Sequence, residues 1–149
     1  MSSIKKEYVE LLNKKLIFVD KMLEMTQEVD FSGNDLEKEA DKYIALYENR
    51  NTLMGHMEKL DAELSSTKYD GIKKDDSDAS FVKARKQLTD KIKSSASKII
   101  ELDKKNAEIS KKFTSQFKGN LKQVRDGMTV SDKYLDAYDV SGYHFDKQN

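Results

Sequence analysis

Apolar side chains recur at alternating spacings of three and four along most of this chain, the period of a helix with one buried face. In the first segment Tyr8, Leu11, Phe18, Met22, Met25 and Val29 make such a row, broken by Lys15, and Leu12, Leu16, Val19 and Leu23 make a second row beside it. Together they predict a helix over residues 3–30 whose apolar face is wide enough for two neighbours, wider than a two-stranded seam needs. Phe31-Ser32-Gly33-Asn34 ends it. Asn34 with Glu37 three positions on reads as the cap of the next helix, and Ser32 with Asp35 is the competing choice.

The second helix, predicted over residues 34–66, keeps Leu36, Ala40, Tyr43, Tyr47, Met54, Met57, Leu60 and Leu64 on one stripe, widened by Leu46 and Leu53. Arg50 and Asp61 interrupt it. They share a face but stand about 16 Å apart along the axis, so each must meet solvent or a neighbouring helix. Residues 65–80 have turn composition and no period, and read as a loop. A third helix over residues 79–126 carries Phe81, Arg85, Leu88, Ile92, Ser95, Ile99, Leu102, Asn106, Ile109, Phe113 and Phe117, then Leu121 and Val124, and stops at Gly127. It would be about 65 to 70 Å long against roughly 40 Å for the first. Part of it therefore lacks the first helix as a partner and invites a dimer mate, the tail or a client. Asn106 in the stripe would set register.

Residues 128–149 hold Tyr134, Tyr138, Tyr143 and Phe145, aromatics that are costly to leave in water. Tyr134, Leu135 and Tyr138 make a single helical turn of apolar surface, while Tyr143 and Phe145 alternate as an extended segment does. The expected fold is all-α: three long antiparallel helices packed as an elongated coiled-coil-like bundle over residues 1–127, with an aromatic C-terminal tail that either folds back permanently on the overhang of the third helix or exchanges between its own bundle and a partner.

Composition sharpens this picture at a few points. There is no proline to break a helix and no cysteine for a disulfide, a thiolate zinc site or a nucleophile. No stretch approaches the ~20 apolar residues of a membrane span, and the opening Met1-Ser2-Ser3-Ile4-Lys5-Lys6 leads into a charged amphipathic pattern without a signal-peptide core, so a cytoplasmic location is expected. The net charge is zero but unevenly spread: residues 79–127 hold 13 Lys/Arg against 5 Asp/Glu, and residues 34–70 hold 5 against 9. Complementary packing of the basic third helix on the acidic second is the simplest account. Nucleic acid is not expected, because neither aromatics nor an arginine cluster accompany the lysines.

Catalytic chemistry is sparse. His56 lies on a helix flank and His144 in the tail, where His144 and Asp146 fall far short of a metal site. There is no glycine-rich phosphate loop, no nucleophile elbow and no isolated carboxylate pair. The expectation is a binding protein and no enzyme, with no cofactor and no metal. Met22, Met25, Met54 and Met57 fit either core filler or an adaptable groove.

Two stretches resemble a known family. Asp35-Leu36-Glu37-Lys38 followed by Arg50-Asn51-Thr52-Leu53-Met54-Gly55-His56-Met57-Glu58-Lys59-Leu60-Asp61 resembles the acidic helix of FliT-type flagellar export chaperones. Ile100-Glu101-Leu102-Asp103-Lys104-Lys105-Asn106, then Leu121-Lys122-Gln123-Val124, Ala137-Tyr138 and Gly142-Tyr143-His144-Phe145-Asp146-Lys147, is similar to FliT and FlgN-like proteins of Gram-positive anaerobes. The likeness covers roughly residues 35–64 and 98–149. It implies a cytoplasmic helical chaperone that holds a flagellar axial subunit before secretion, most often the filament-cap protein, and a C-terminal segment that can cover the client groove. The expected partner surface is Leu53, Met57, Leu60, Phe113, Phe117, Leu121 and Val124, with Tyr134, Leu135, Tyr138, Tyr143 and Phe145 as the regulatory tail. The alternative is a structural coiled-coil or adaptor protein that self-associates, as a homodimer, through the same stripes.

Overall fold

A computed structural model of the chain describes residues 1–111. They form three α-helices, α1 (Ser3–Glu28), α2 (Leu36–Leu64) and α3 (Ala79–Ser110), with a 3-10 turn at Thr67–Tyr69 and no strand among the described residues. The end of the third helix, Gly127 and the tail lie outside the described residues.

Each helix starts where a side chain can take up the free backbone N–H groups of its first turn. Ser2 Oγ accepts from Lys5 N (3.4 Å) and Asp78 from Phe81 N (3.2 Å). For α2 the cap is Asp35, not Asn34 or Ser32. Its backbone is extended (φ −86°, ψ 101°) and its carboxylate accepts from Glu37 N and Lys38 N at 3.1 and 3.3 Å. Ser32 N instead donates to the Asp30 carboxylate (2.9 Å), closing a small turn in the linker. The helices therefore span 3–28 and 36–64, a turn end or so shorter than the apolar rows suggest.

The path is up, down, up. Lys5 meets Asp78 and Asp20 meets Ser95, sequence separations of 73 and 75, so α1 and α3 run parallel in near-constant register. Tyr8 packs edge-on against Phe81 in the same register. Consecutive helices are antiparallel: α2 returns along α1 through Lys15–Asp61 and the Phe18–His56 stack, and along α3 through Arg50–Asp103. The bundle has two apolar clusters. The larger joins Leu11, Leu12, Val19 and Met22 of α1 to Met54 and Met57 of α2 and to Phe81, Ile92, Ala96 and Ile99 of α3.

The segment read as a loop contributes to that core. Tyr69 and Ile72 are buried, and Tyr69 packs on Tyr8 with ring centroids 5.4 Å apart. A single turn is too short to display a period, so the sequence pattern could not reveal it. At the opposite end, where α1 stops, the linker folds inward. Phe31 stacks on Tyr43 (4.0 Å, 15°) and forms the second cluster with Leu46 and Tyr47. Met25, Val29, Leu36, Ile44 and Ile109 make its half-buried rim. The beginning of the predicted overhang is thus covered by the α1–α2 linker.

Candidate functional site

The most unusual chemistry lies inside the bundle. Arg50, 0% exposed, donates from both guanidinium ends to Asp103, 4% exposed, at 2.6 Å (Nη1–Oδ1) and 2.9 Å (Nη2–Oδ2). Tyr47 donates its hydroxyl to the same Oδ1 (3.2 Å), and its ring lies 4.9 Å below the guanidinium carbon. A buried charge pair is tolerable when both fork donors and the carboxylate are matched in this way. Burial, reinforced by the Asp103 charge, pushes the Tyr47 hydroxyl well above the usual phenol range, so it stays a protonated donor. One turn on, Asn106 is also buried, and its Nδ2 and the Nε of Arg50 find no hydrogen-bond partner among the described residues.

Arg50 meets its neighbouring helix as its place in the stripe requires, but the partner was not legible. The predicted row ran through Ser95 and Leu102. The structure buries Ala96 and Asp103 instead, giving 92, 96, 99, 103 and 106, the alternating four and three of a packed seam. Apolar counting favours Leu102 over Asp103; only the unmatched arginine on α2 signals that an acid must come inside. The pair also joins the two stretches on which the family resemblance rests.

Lys15 and Asp61, the other interruptions, solve each other at 2.6 Å. Desolvation pulls the Lys15 ammonium below its ordinary pKa, against the opposing pull of Asp61. A third polar contact holds the α1–α2 corner. The Lys42 ammonium bridges Glu39 Oε1 (2.8 Å) and the Asp30 carbonyl (2.9 Å), and buried Glu39 lies directly against Gly33, where a Cβ would collide with its carboxylate. These contacts fix the helices to one another, although Glu39 Oε2, like Arg50 Nε and Asn106 Nδ2, is buried with no hydrogen-bond partner among the described residues. Among the described residues no group of three or more His, Asp or Glu could hold a metal ion, and no helix is long and apolar enough to cross a membrane.

The expected partner residues divide. Leu53 and Leu60 are half-buried against the main cluster. Met57 is 0% exposed, so in this arrangement it is core filler and not groove lining, as are Met22 and Met54. Phe113, Phe117, Leu121, Val124 and the tail residues Tyr134, Leu135, Tyr138, Tyr143 and Phe145 lie outside the described residues. His56 is exposed and stacks on Phe18 at 5.7 Å. Among the described residues only Met1 and Ile17 are large exposed hydrophobics, so no apolar groove stands open there.

Complementary packing of α3 on α2 does not account for the charge split. Six of the seven lysines of α3 point away from the core: Lys83, Lys86, Lys91, Lys98, Lys104 and Lys105 are exposed, and none of these six has an ion-pair partner among the described residues. The reason is geometric, because a seam buries its a and d positions and leaves the outward arc of each helix in water. No family model, no curated protein and no solved structure matches this chain.

Proposed function

We propose that this chain is a helical binding protein, a flagellar export chaperone that holds a secreted axial subunit, the filament-cap protein foremost, in the cytoplasm before export. It is not an enzyme in this reading. The observation that carries it is the early end of α1. The pairing that sets Phe18 against His56 sets Glu28 level with about Leu46 of α2, and the pairing of Asp20 with Ser95 sets it level with about Asp103 of α3. Leu36, Ala40, Tyr43 and Ile44 on α2, and Ile109 on α3, therefore lie past the end of α1.

At that end the place of a third helix is held by one linker aromatic, Phe31, and a half-buried apolar rim. An amphipathic helix of a client, laid where α1 would continue, meets that rim, the helix-in-groove mode of recognition. The resemblance of residues 35–64 and 98–149 to the FliT and FlgN-like chaperones supports the choice of client, and the aromatic tail supplies a candidate cover. Co-purification of the full chain with the C-terminal region of the filament-cap protein tests it. Retention is expected, weakened by Ile44→Asp or Ile109→Asp and strengthened by removing residues 128–149. Failure to retain any axial subunit would defeat the reading and leave the self-associating adaptor.

A further inference from the structure

Client holding leaves the exposed lysines of α3 without a role. Lys91, Lys98 and Lys105 recur every seven residues, so they stand in one line along the helix, about 10.5 Å apart. Lys83 lies nearest that line, and Lys86 and Lys104 lie farther round the helix, beyond the acids Asp90, Glu101 and Glu108. All six are exposed and lack an ion-pair partner among the described residues. Asp90, Glu101 and Glu108 share the arc, leaving six lysines to three acids.

The acids that balance the chain elsewhere are partly in use. Asp61 is held by Lys15, Asp103 by Arg50, Asp76 by Arg85, and Asp75 and Asp78 by Lys5. The neutral chain is therefore polar in charge, with α2 carrying seven acidic side chains against four basic ones and α3 the reverse excess. The lysine arc contains neither arginine nor an aromatic ring. It thus lacks the forked donors that grip phosphate in two places and the platforms on which bases stack. A row of point charges at heptad spacing matches another helix whose acids repeat at the same interval, as charges beside a coiled-coil seam do.

We propose that the outward face of α3 docks an acidic helix of a partner protein, one that presents Glu or Asp at seven-residue spacing to Lys91, Lys98 and Lys105. The line runs toward the end of the bundle, where Ile109 stands one turn beyond Lys105 on the same face, so docking is read on the lysine variants and client binding on Ile109→Asp.

The probe is a synthetic helical peptide with paired Glu residues every seven positions, titrated into the full chain by fluorescence anisotropy beside a scrambled peptide of the same composition and a DNA duplex. The ordered peptide should bind about tenfold more tightly than the scrambled one and weaken as salt rises. Lys91→Glu/Lys98→Glu/Lys105→Glu should weaken it by about tenfold or more, and the Arg triple variant should retain it. A control reversal of the exposed α1 residues Lys6, Lys14 and Lys21 should change it little. If the Glu triple variant loses its helical signal, the Gln triple variant takes its place. Equal binding of ordered and scrambled peptides, tighter binding of the duplex, or indifference to the α3 variants would each overturn the proposal.

Discussion

Arg50 carries a positive charge at a place from which water is excluded, and it remains there because Asp103 answers both ends of its guanidinium and Tyr47 completes the carboxylate. Removing one member strands the other. Arg50→Met or Asp103→Leu alone should each cost about 3–5 kcal/mol, whereas the double variant should recover most of that loss, since an apolar pair of similar volume avoids the desolvation penalty. Urea denaturation of the four proteins in a double-mutant cycle measures this. Two glycines predict opposite signs. Gly55 sits inside α2 with nothing within 4 Å of a built Cβ, so Gly55→Ala should stabilise by about 0.5–1 kcal/mol. Gly33→Ala should destabilise by about 1 kcal/mol, because the added methyl displaces the buried Glu39 carboxylate from Lys42. The thermal midpoints of the two variants should move apart. At this scale the sequence showed where the core was interrupted, at Lys15, Arg50 and Asp61, but not who met whom. Asp103 looked like one more solvated acid beside Leu102, and only the three-dimensional register separates the two.

Among the elements, the turn between α2 and α3 does more than connect. Tyr69→Ala should cost about 3 kcal/mol, read from the shift of the urea midpoint, by removing a ring that closes the end of the main cluster over Tyr8. Beside it, the Ser77 hydroxyl and backbone N–H, then Lys5, hold Asp75 well below the usual carboxylate range, and the Ser80 hydroxyl and Phe81 N–H lower Asp78. Both folded values lie below the ordinary 3.8, so the folded state binds fewer protons there than the unfolded one. Their stabilising contribution is complete above that value and is lost as pH falls through the lower folded values. The thermal midpoint should accordingly drop on going from about pH 5 to about pH 2, and Asp75→Asn/Asp78→Asn should flatten the drop. Helix existence and path were legible because the rows of α1, α2 and α3 are long. The caps and this turn were not, because Asp35 competes with Asn34 and Ser32 within four residues and one turn has no period.

At the scale of the whole molecule, the described apolar surface is almost entirely consumed by the bundle, and what stays outside is charge. A binding role therefore rests on the end of the bundle that α1 does not reach, where Phe31 stands in for a longer helix. Displacing a single stacked ring and its rim is a small task for a client helix with several apolar anchors, since each fully buried large side chain contributes about 1.5–3 kcal/mol. The measurement that tests this most directly is a calorimetric titration of the full chain with the helical C-terminal segment of the filament-cap protein at several temperatures. Saturable binding of one segment per chain is predicted, with a negative heat-capacity change from buried apolar surface and a marked loss in the Ile109→Asp variant. Absence of any binding heat across the temperature series, with both proteins folded, would contradict the account.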